Sequence, residues 1–400
     1  MSGRLSRRHL LSLASAGLAA VPLAACSSGG GSDSETIKIG WVGPLTGKVK
    51  VVGEEMRTAA ELFLELAGGK LGGRKVELVV VDEGDTPEDA MPEVQKLIKD
   101  DDIAAITGIL YSPTYLATAE LAQERGIPLL GSGGRPELDP EKLNGLDGLW
   151  HTSWINGQTS EALAPYVYDE IGGPVYVIGP DDAGGYGYTN TFADVYKDLG
   201  GKLANPDGKP TNTPYPDTAD WTVYFNEIDN SKAEAVFVFY GGESAVGFVK
   251  QYAESNVKDV PLFTSFVTEG SVLQAQGEAA IGIKSSVPYS TDLDNDANRK
   301  LISAWSDSRE DLPSTMAVGA WDSILVLDMA IGRIADGQEV TREELKRQIG
   351  TLGEIESPRG VWQIGEKTHA PVQRYYLREV QKDGDVISNV ALSTLATLGE

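Results

Sequence analysis

Residues 108–138 read GILYSPTYLATAELAQERGIPLLGSGGRPEL, and this stretch decides the fold. It has the pattern of a strand end, a helix, a second strand and a glycine-rich loop. Ser112 and Pro113 are favoured N-cap and N1 residues. Leu116, Ala119, Leu121 and Ala122 supply an inward face, and Gly126 stands where a C′ glycine ends a helix. Pro128–Leu130 is a short buried strand that runs into Gly131-Ser132-Gly133-Gly134-Arg135. In a parallel α/β sheet the loops at the strand C-termini line the ligand crevice. Ser112, the open amides at the helix start and the 131–135 loop therefore converge on one place, which has the character of an anion site.

Working outward, the same alternation precedes this stretch. Ile37–Gly43 is a first strand, Glu54–Ala67 an amphipathic helix, and Val76–Asp82 a valine-rich buried strand. Thr86 caps a helix running to about Asp100, with Pro87 at N1 and Glu88-Asp89 favouring the dipole. Ile103–Ile109 is a third strand. This βα alternation predicts a parallel sheet with helices on both faces. The pattern restarts after a short crossing at Trp150–Thr152: a second α/β unit occupies roughly 156–286, with Asp181–Tyr188 as a loop opening a helix to Leu199. Helices follow near 297–308, 314–336 and 341–352, and then antiparallel strands at 361–364, 373–379 and 384–388. The helical block lacks the strands for a third sheet. Its helices must return to an existing one, so at least one lobe is discontinuous in sequence.

The first 35 residues are a separate matter. Ser6-Arg7-Arg8-His9 and the apolar run Leu10–Leu23 have the form of an export signal, too short and broken for a strong transmembrane span. Leu23-Ala24-Ala25-Cys26 resembles a bacterial lipobox, and the Ser/Gly/Asp-rich residues after it have the composition of a flexible tether. The lipobox implies that Cys26 becomes the mature N-terminus and carries lipid. The twin-arginine pair fits export in the folded state, and the ordinary secretory route fits nearly as well. Cleavage removes Arg4, Arg7 and Arg8 and no acid, taking the formal net charge from −25 to −28. So acidic a chain is repelled by phosphate and is a poor nucleic-acid binder. Cys26 is the only cysteine, so no disulfide forms within the chain.

Catalytic and metal signatures are missing from the sequence. There is no Gly-x-Ser-x-Gly elbow, Walker loop or His-Glu-x-x-His, and the first strand leads into Gly40-Trp41-Val42-Gly43-Pro44, not Gly-x-Gly-x-x-Gly. Two dispersed histidines, His151 and His369, remain after the leader and do not make a transition-metal site. Asp181-Asp182 and Asp292–Asp296 lack the spacing of a calcium loop. The expectation is a protein with no catalytic residues, no metal and no cofactor.

Six stretches, in order, resemble the extracytoplasmic solute-binding proteins of ABC importers, specifically the leucine/isoleucine/valine-binding type. They are IKIGWVGPLTG at 37–47, LGGRKVELVVVDEGDTPEDA at 71–90, TGILYSP at 107–113, GIPLLGSGGRPEL at 126–138, DDAGGYG at 181–187 and FVFYGGE at 237–243. The resemblance covers about residues 37–380. It implies a two-lobe type I periplasmic-binding-protein fold, each lobe a mostly parallel sheet flanked by helices, joined by three hinge crossings and closing on a ligand. Residues 1–25 become the signal peptide and 26–36 the tether. Lobe 1 is 37–152 plus 288–360, and lobe 2 is 153–287 plus 361–395.

The resemblance also implies ligand contacts. Ser112 falls where the family places a serine that takes the ligand carboxylate, and Tyr111 stands beside it as a wall residue. Gly133 falls at a small residue whose carbonyl accepts from a ligand ammonium. Arg135 replaces a threonine; either it clamps a carboxylate with paired hydrogen bonds or it points to solvent. Trp154 and Asn156 lie just past the first crossing, and Tyr186 matches a tyrosine that reaches across the cleft. Glu269 is the acid in the loop that supplies the ammonium partner, and Glu243 replaces a tyrosine. Arg135 and Glu243 depart from the pattern of a branched-chain amino-acid site, and Val52 stands where an aromatic is frequent.

The sequence therefore reads as a lipid-anchored, monomeric binding protein outside the cell membrane. It captures an amino acid or similar small carboxylate and hands it to an ABC permease and its ATPase. Alternatives are an importer component for amide, urea or aromatic-acid ligands, a sensory ligand-binding lipoprotein and, third, an α/β enzyme.

Overall fold

The computed structural model describes residues 36–400 apart from 101, 137, 140–142 and 216. The leader, Cys26 and nearly all of the expected tether lie outside the described residues. The first sheet contains β1 (Ile37–Gly43), β2 (Lys70–Leu71), β3 (Arg74–Asp82), β4 (Ala105–Gly108), β5 (Leu129–Gly131) and β7 (Leu149–His151), in the order β2-β3-β1-β4-β5-β7. All neighbours are parallel except the β2–β3 hairpin. The strands alternate with α1 (Lys50–Leu66), α2 (Pro87–Asp100) and α3 (Ser112–Glu124). Between β5 and β7 lies β6 (Gly134–Arg135), which pairs in parallel with β8 (Trp154–Ile155) at the exit from the sheet.

The second sheet is built from β9 (Val175–Pro180), β10 (Thr211–Thr213), β11 (Ala235–Phe239), β12 (Leu262–Ser265) and β13 (Lys284–Val287). Around it stand α4 (Gln158–Ile171), α5 (Ala183–Asp198), α6 (Thr222–Ser231), α7 (Gly242–Glu254) and α8 (Gly270–Gln276). The chain then adds α9 (Asp296–Ser306), α10 (Thr315–Gly332) and α11 (Arg342–Ile349). The tail is β14 (Glu354–Ser357), β15 (Gly360–Ile364), β16 (Pro371–Asp383) and β17 (Val386–Leu398). Strand order is β10-β9-β11-β12-β13-β16-β15-β14, with β17 paired along β16 from Gln373 to Asp383. The pairing is parallel as far as β13 and antiparallel from there on. This is an α/β fold with two parallel-dominated sheets, as the alternation predicted.

Strands buried on both faces explain the two-sided packing. In β1, Ile39 and Trp41 face a core shared with Met56 and Ala59 of α1, and Ile324, Leu327 and Ile331 of α10. Val42 faces the opposite side, toward Val94 of α2 and Ala119 of α3. The late helices thus return to the first sheet. Helix α10 is apolar all round because it is enclosed: its apolar 18-residue span is 72% buried. In the second sheet, Val177 and Phe237 meet Leu163 and Phe192 on one face, while Ile178 and Val236 meet Phe225 and Phe248 on the other.

Two buried guanidinium groups bind the segments that run between the sheets. Arg359, just before β15, donates to the carbonyls of Thr152 and Ser153, to Gln373 Oε1 at 2.6 Å and to Asp322 Oδ2 at 2.5 Å, and it stacks on Trp362. Arg378 in β16 donates to Ser285 Oγ, to the Tyr289 carbonyl at 2.9 Å and to Glu269. Each leaves no unpaired charge inside the protein.

Candidate functional site

Helix α3 begins at the C-terminal edge of the first sheet, where a crevice is expected. Its start differs from the sequence expectation by one residue. Tyr111, in extended backbone, is the N-cap and has no side-chain cap, while Ser112 is already helical. The capping acceptor comes from elsewhere in the chain. Glu83, fully buried at the end of β3, accepts from the amides of Leu110 at 2.8 Å and Tyr111 at 2.9 Å. Burial pushes its carboxyl up to about 7 against the pull of those amides. Glu83 gave no sequence signal as a site residue.

Ser112 meets the first crossing directly. Its Oγ accepts from Asn156 Nδ2 at 3.1 Å and lies 3.5 Å from the Gly134 carbonyl. The Asn156 amide N–H donates to the Arg135 carbonyl, fixing β6 against β8. Asn156 Oδ1 accepts from Tyr188 Oη at 3.3 Å, and that oxygen accepts from Trp154 Nε1 at 2.7 Å. Ser112, Asn156, Tyr188 and Trp154 thus form one polar chain from the first sheet's edge to helix α5.

An aromatic wall backs this chain. Trp154 stacks on Phe266 with centroids 4.4 Å apart, and Tyr188 stacks on Phe239 at 4.1 Å and meets Phe266 edge-on at 5.7 Å. Trp154, Tyr188 and Phe266 are all buried. Such a wall gives a flat apolar partner a large contact area with defined geometry.

Tyr188, not Tyr186, occupies this position. Asp182 accepts from Gly185 N at 2.6 Å and starts α5 at Ala183, so the expected 181–188 loop is mostly helix. Gly185, Tyr188, Thr189 and Phe192 then face inward, while Tyr186 is 41% exposed and donates to Asp181 beside it. The second tyrosine of Gly-Tyr-Gly-Tyr was the readable signal once the cap was placed.

Arg135 does not point to solvent. It is only 9% exposed, and among the described residues its guanidinium has no hydrogen-bond or ion-pair partner. Its charge acts on Tyr115 and His151, whose rings lie 4.2 Å apart, and burial lowers its own pKa. Among the described residues the hydroxyls of Tyr115 and Ser132 also lack partners. Buried polar groups left without partners are rare and call for an explanation.

The remaining expected residues fall as follows. Gly133 is needed because a Cβ there would lie 2.5 Å from the Leu110 carbonyl, and its own carbonyl accepts from Ser153 Oγ. Tyr111 Oη donates to Asp85 at 3.3 Å. Glu243 is exposed in the first turn of α7, in a cavity of about 240 Å³ shared with Lys48, Tyr215 and Trp221. Glu269 is not an open acid awaiting an ammonium. Arg378 neutralises it, and its second oxygen accepts from Thr315 N at 2.7 Å at the start of α10. Among the described residues no cluster of metal-ligating side chains occurs.

Hinge-closing binding proteins are a class in which two α/β lobes shut around a ligand. The sequence profile of the periplasmic binding protein family matches residues 36–385, and the chain belongs to that family. A relative from Brucella melitensis, called Leu/Ile/Val-binding protein homolog 6, is 25% identical over 88% of this chain and 89% of its own. A crystal structure of an ABC-transporter solute-binding protein from R. palustris, in complex with benzoate, has 28% identity and a TM-score of 0.80. The match covers 91% of this chain and 98% of that one. An ABC-transporter substrate-binding protein from Sphaerobacter thermophilus has 26% identity and a TM-score of 0.82, covering 91% and 99%.

Proposed function

We propose that this chain is the lipid-anchored, monomeric solute-binding component of an ABC importer and that its ligand is a small aromatic carboxylate. The lobes are 37–152 plus 288–360 and 153–287 plus 361–395, and Cys26 is the lipid attachment point outside the cell membrane. The observation that carries the ligand reading is Arg135, a residue only 9% exposed whose guanidinium has no acceptor among the described residues. A buried unpaired charge is strongly unfavourable and is relieved by an anion brought to it. Ser112, next to the start of α3, adds a hydroxyl and the positive end of a helix.

The ring would rest on the wall of Trp154, Tyr188, Phe239 and Phe266. Glu269, already neutralised by Arg378, offers nothing to an ammonium, which favours an acid over an amino acid. Benzoate in the R. palustris relative fits the same chemistry. The lobes close because a ligand touching both binds the closed form better than the open one. Delivery is to a permease and its ATPase, with no chemical step.

A second reading, a branched-chain amino acid, is favoured by the name of the Brucella relative. A thermal-shift and calorimetric screen against benzoate, 4-hydroxybenzoate, leucine, glutamate and urea separates the two. Benzoates should bind and leucine should not; binding of leucine alone would overturn the aromatic reading. A sensory role would be indicated if the permease and ATPase were dispensable for uptake of the ligand. Radiolabelled palmitate appearing in the wild-type protein and not in Cys26→Ala tests the anchor.

A further inference from the structure

The two lobes cap each other's helices with buried carboxylates. Glu269, from the second lobe, accepts from Thr315 N at the start of α10 in the first. Glu55, from α1 of the first lobe, is 2% exposed and accepts from Ser271 N at 2.9 Å and from Ser271 Oγ at the start of α8 in the second. Gly270, at φ +44°, makes room for this approach: a Cβ there would lie 2.6 Å from Glu55 Oε2. Helices α1 and α8 follow the C-terminal ends of β1 and β12, so this contact crosses the cleft. On another part of the cleft, Gly242 of α7 rests close to the Lys48 carbonyl.

The two caps differ in charge. Glu269 has the guanidinium of Arg378 beside it. Glu55 has only neutral donors in contact, Ser271 and the hydroxyl of Ser314. The charged groups around it are Asp311, Arg309 and Glu310 from the loop before α10, Glu269 with Arg378 beyond Ser271, and Glu54 on its own helix. Arg309 is taken up by Asp311 in a paired contact at 2.7 and 2.6 Å, and Glu54 by Lys50 at 3.3 Å. Arg309 still lies near enough for its charge and that of Glu55 to act on each other, but it makes no hydrogen bond to Glu55.

We propose that Glu55 is a positioning residue for lobe closure: its carboxyl caps α8 across the shut cleft and is protonated more readily there than in the open form, so that closing is linked to uptake of a proton from water. This inference rests on the two-lobed fold and is independent of which ligand binds. In the open form Glu55 is hydrated and titrates as an ordinary carboxyl. In the closed form burial raises it to about 7, with the Ser271 and Ser314 hydrogen bonds opposing and Asp311 assisting. A group that binds its proton more tightly in the closed form favours closure as pH falls. A shift of this size makes the closed-to-open ratio fall about tenfold between pH 6 and pH 8.

The test is small-angle scattering of the ligand-free protein at both pH values, with circular dichroism to establish folding. The wild type should be compact at pH 6 and expand at pH 8. Glu55→Gln, whose amide oxygen still accepts from Ser271, should stay compact at both, and Glu55→Ala should be expanded at both. Ser271→Ala, a milder change should Glu55→Ala fail to fold, should lie between them. A wild-type radius that does not change with pH, or a Glu55→Gln variant that keeps the full change, would overturn the proposal. No ligand enters the experiment, so failure of the benzoate reading leaves it untouched.

Discussion

Three buried arginines divide this molecule into a region that is finished and a region that is waiting. Arg359 and Arg378, at the segments between the sheets, are met by a carboxylate each and by backbone carbonyls. Arg135, where the first crossing leaves the sheet, is nearly as buried and meets no acceptor among the described residues. Burying a charge is tolerated when hydrogen-bonded partners surround it, and costs several kcal/mol when they do not. The finished pair holds the segments between the lobes in place. The other is the residue on which the proposed carboxylate site rests.

The largest expected effect lies in the finished region. Arg359→Met should lower stability to urea by about 3–5 kcal/mol, because Asp322 is left as an uncompensated buried charge. Adding Asp322→Leu should recover much of that loss, and no recovery would mean that Arg359 acts chiefly through its carbonyl contacts.

The same contrast extends to carboxylates. Glu83 has only neutral donors in its contacts, the amides of Leu110 and Tyr111 and the Thr114 hydroxyl, and is raised to about 7 in the folded protein. A raised folded-state pKa gives stability that is complete below the unfolded pKa and is lost as pH rises through the folded one. Stability should therefore fall between about pH 5 and pH 8 by an amount of the order of 3 kcal/mol for this residue. Thermal unfolding of Glu83→Gln should show a correspondingly flatter profile, and an unchanged profile would put the proton elsewhere.

Arg135→Met should behave oppositely to Arg359→Met. Its stability should be unchanged or raised, since an unpaired charge is removed, while affinity for benzoate falls roughly 10- to 100-fold, the size of a lost charged hydrogen bond. A loss of stability with affinity intact would place Arg135 with the finished pair. The smallest expected effect separates two tyrosines. Tyr188→Phe, which loses its bonds to Trp154 and Asn156, should cost about 1 kcal/mol of stability and weaken benzoate binding several-fold. Tyr186→Phe should change stability by less than about 0.5 kcal/mol.

What could be read from the sequence was local or periodic. The strand at Ile37–Gly43, the Ser-Pro helix start and the glycine stop at Gly126 each depend on neighbours a few residues away, and the α/β order follows from them. Most of the differences come from partners distant in sequence. The start of α3 moved by one residue because its capping acceptor is Glu83, 27 residues upstream of Leu110. Glu269 is paired within the protein because Arg378 lies beside it, 109 residues on. The phase of α5 is a local matter: a cap at Asp182 turns position 188 inward and 186 outward. Strand β17 outran its expected length because its register is set by β16, with irregularities at Tyr375/Tyr376 and Leu377/Arg378. Arg135 was visible as a departure from the family pattern, but only the fold shows that it is buried and unpaired.

The most direct test of the central claim is calorimetric titration of wild type and Arg135→Met with benzoate and with leucine. The account predicts saturable heat from benzoate with wild type, a loss of at least tenfold in affinity with Arg135→Met, and no heat from leucine. Tight leucine binding that Arg135→Met leaves unchanged, with benzoate silent, would contradict it.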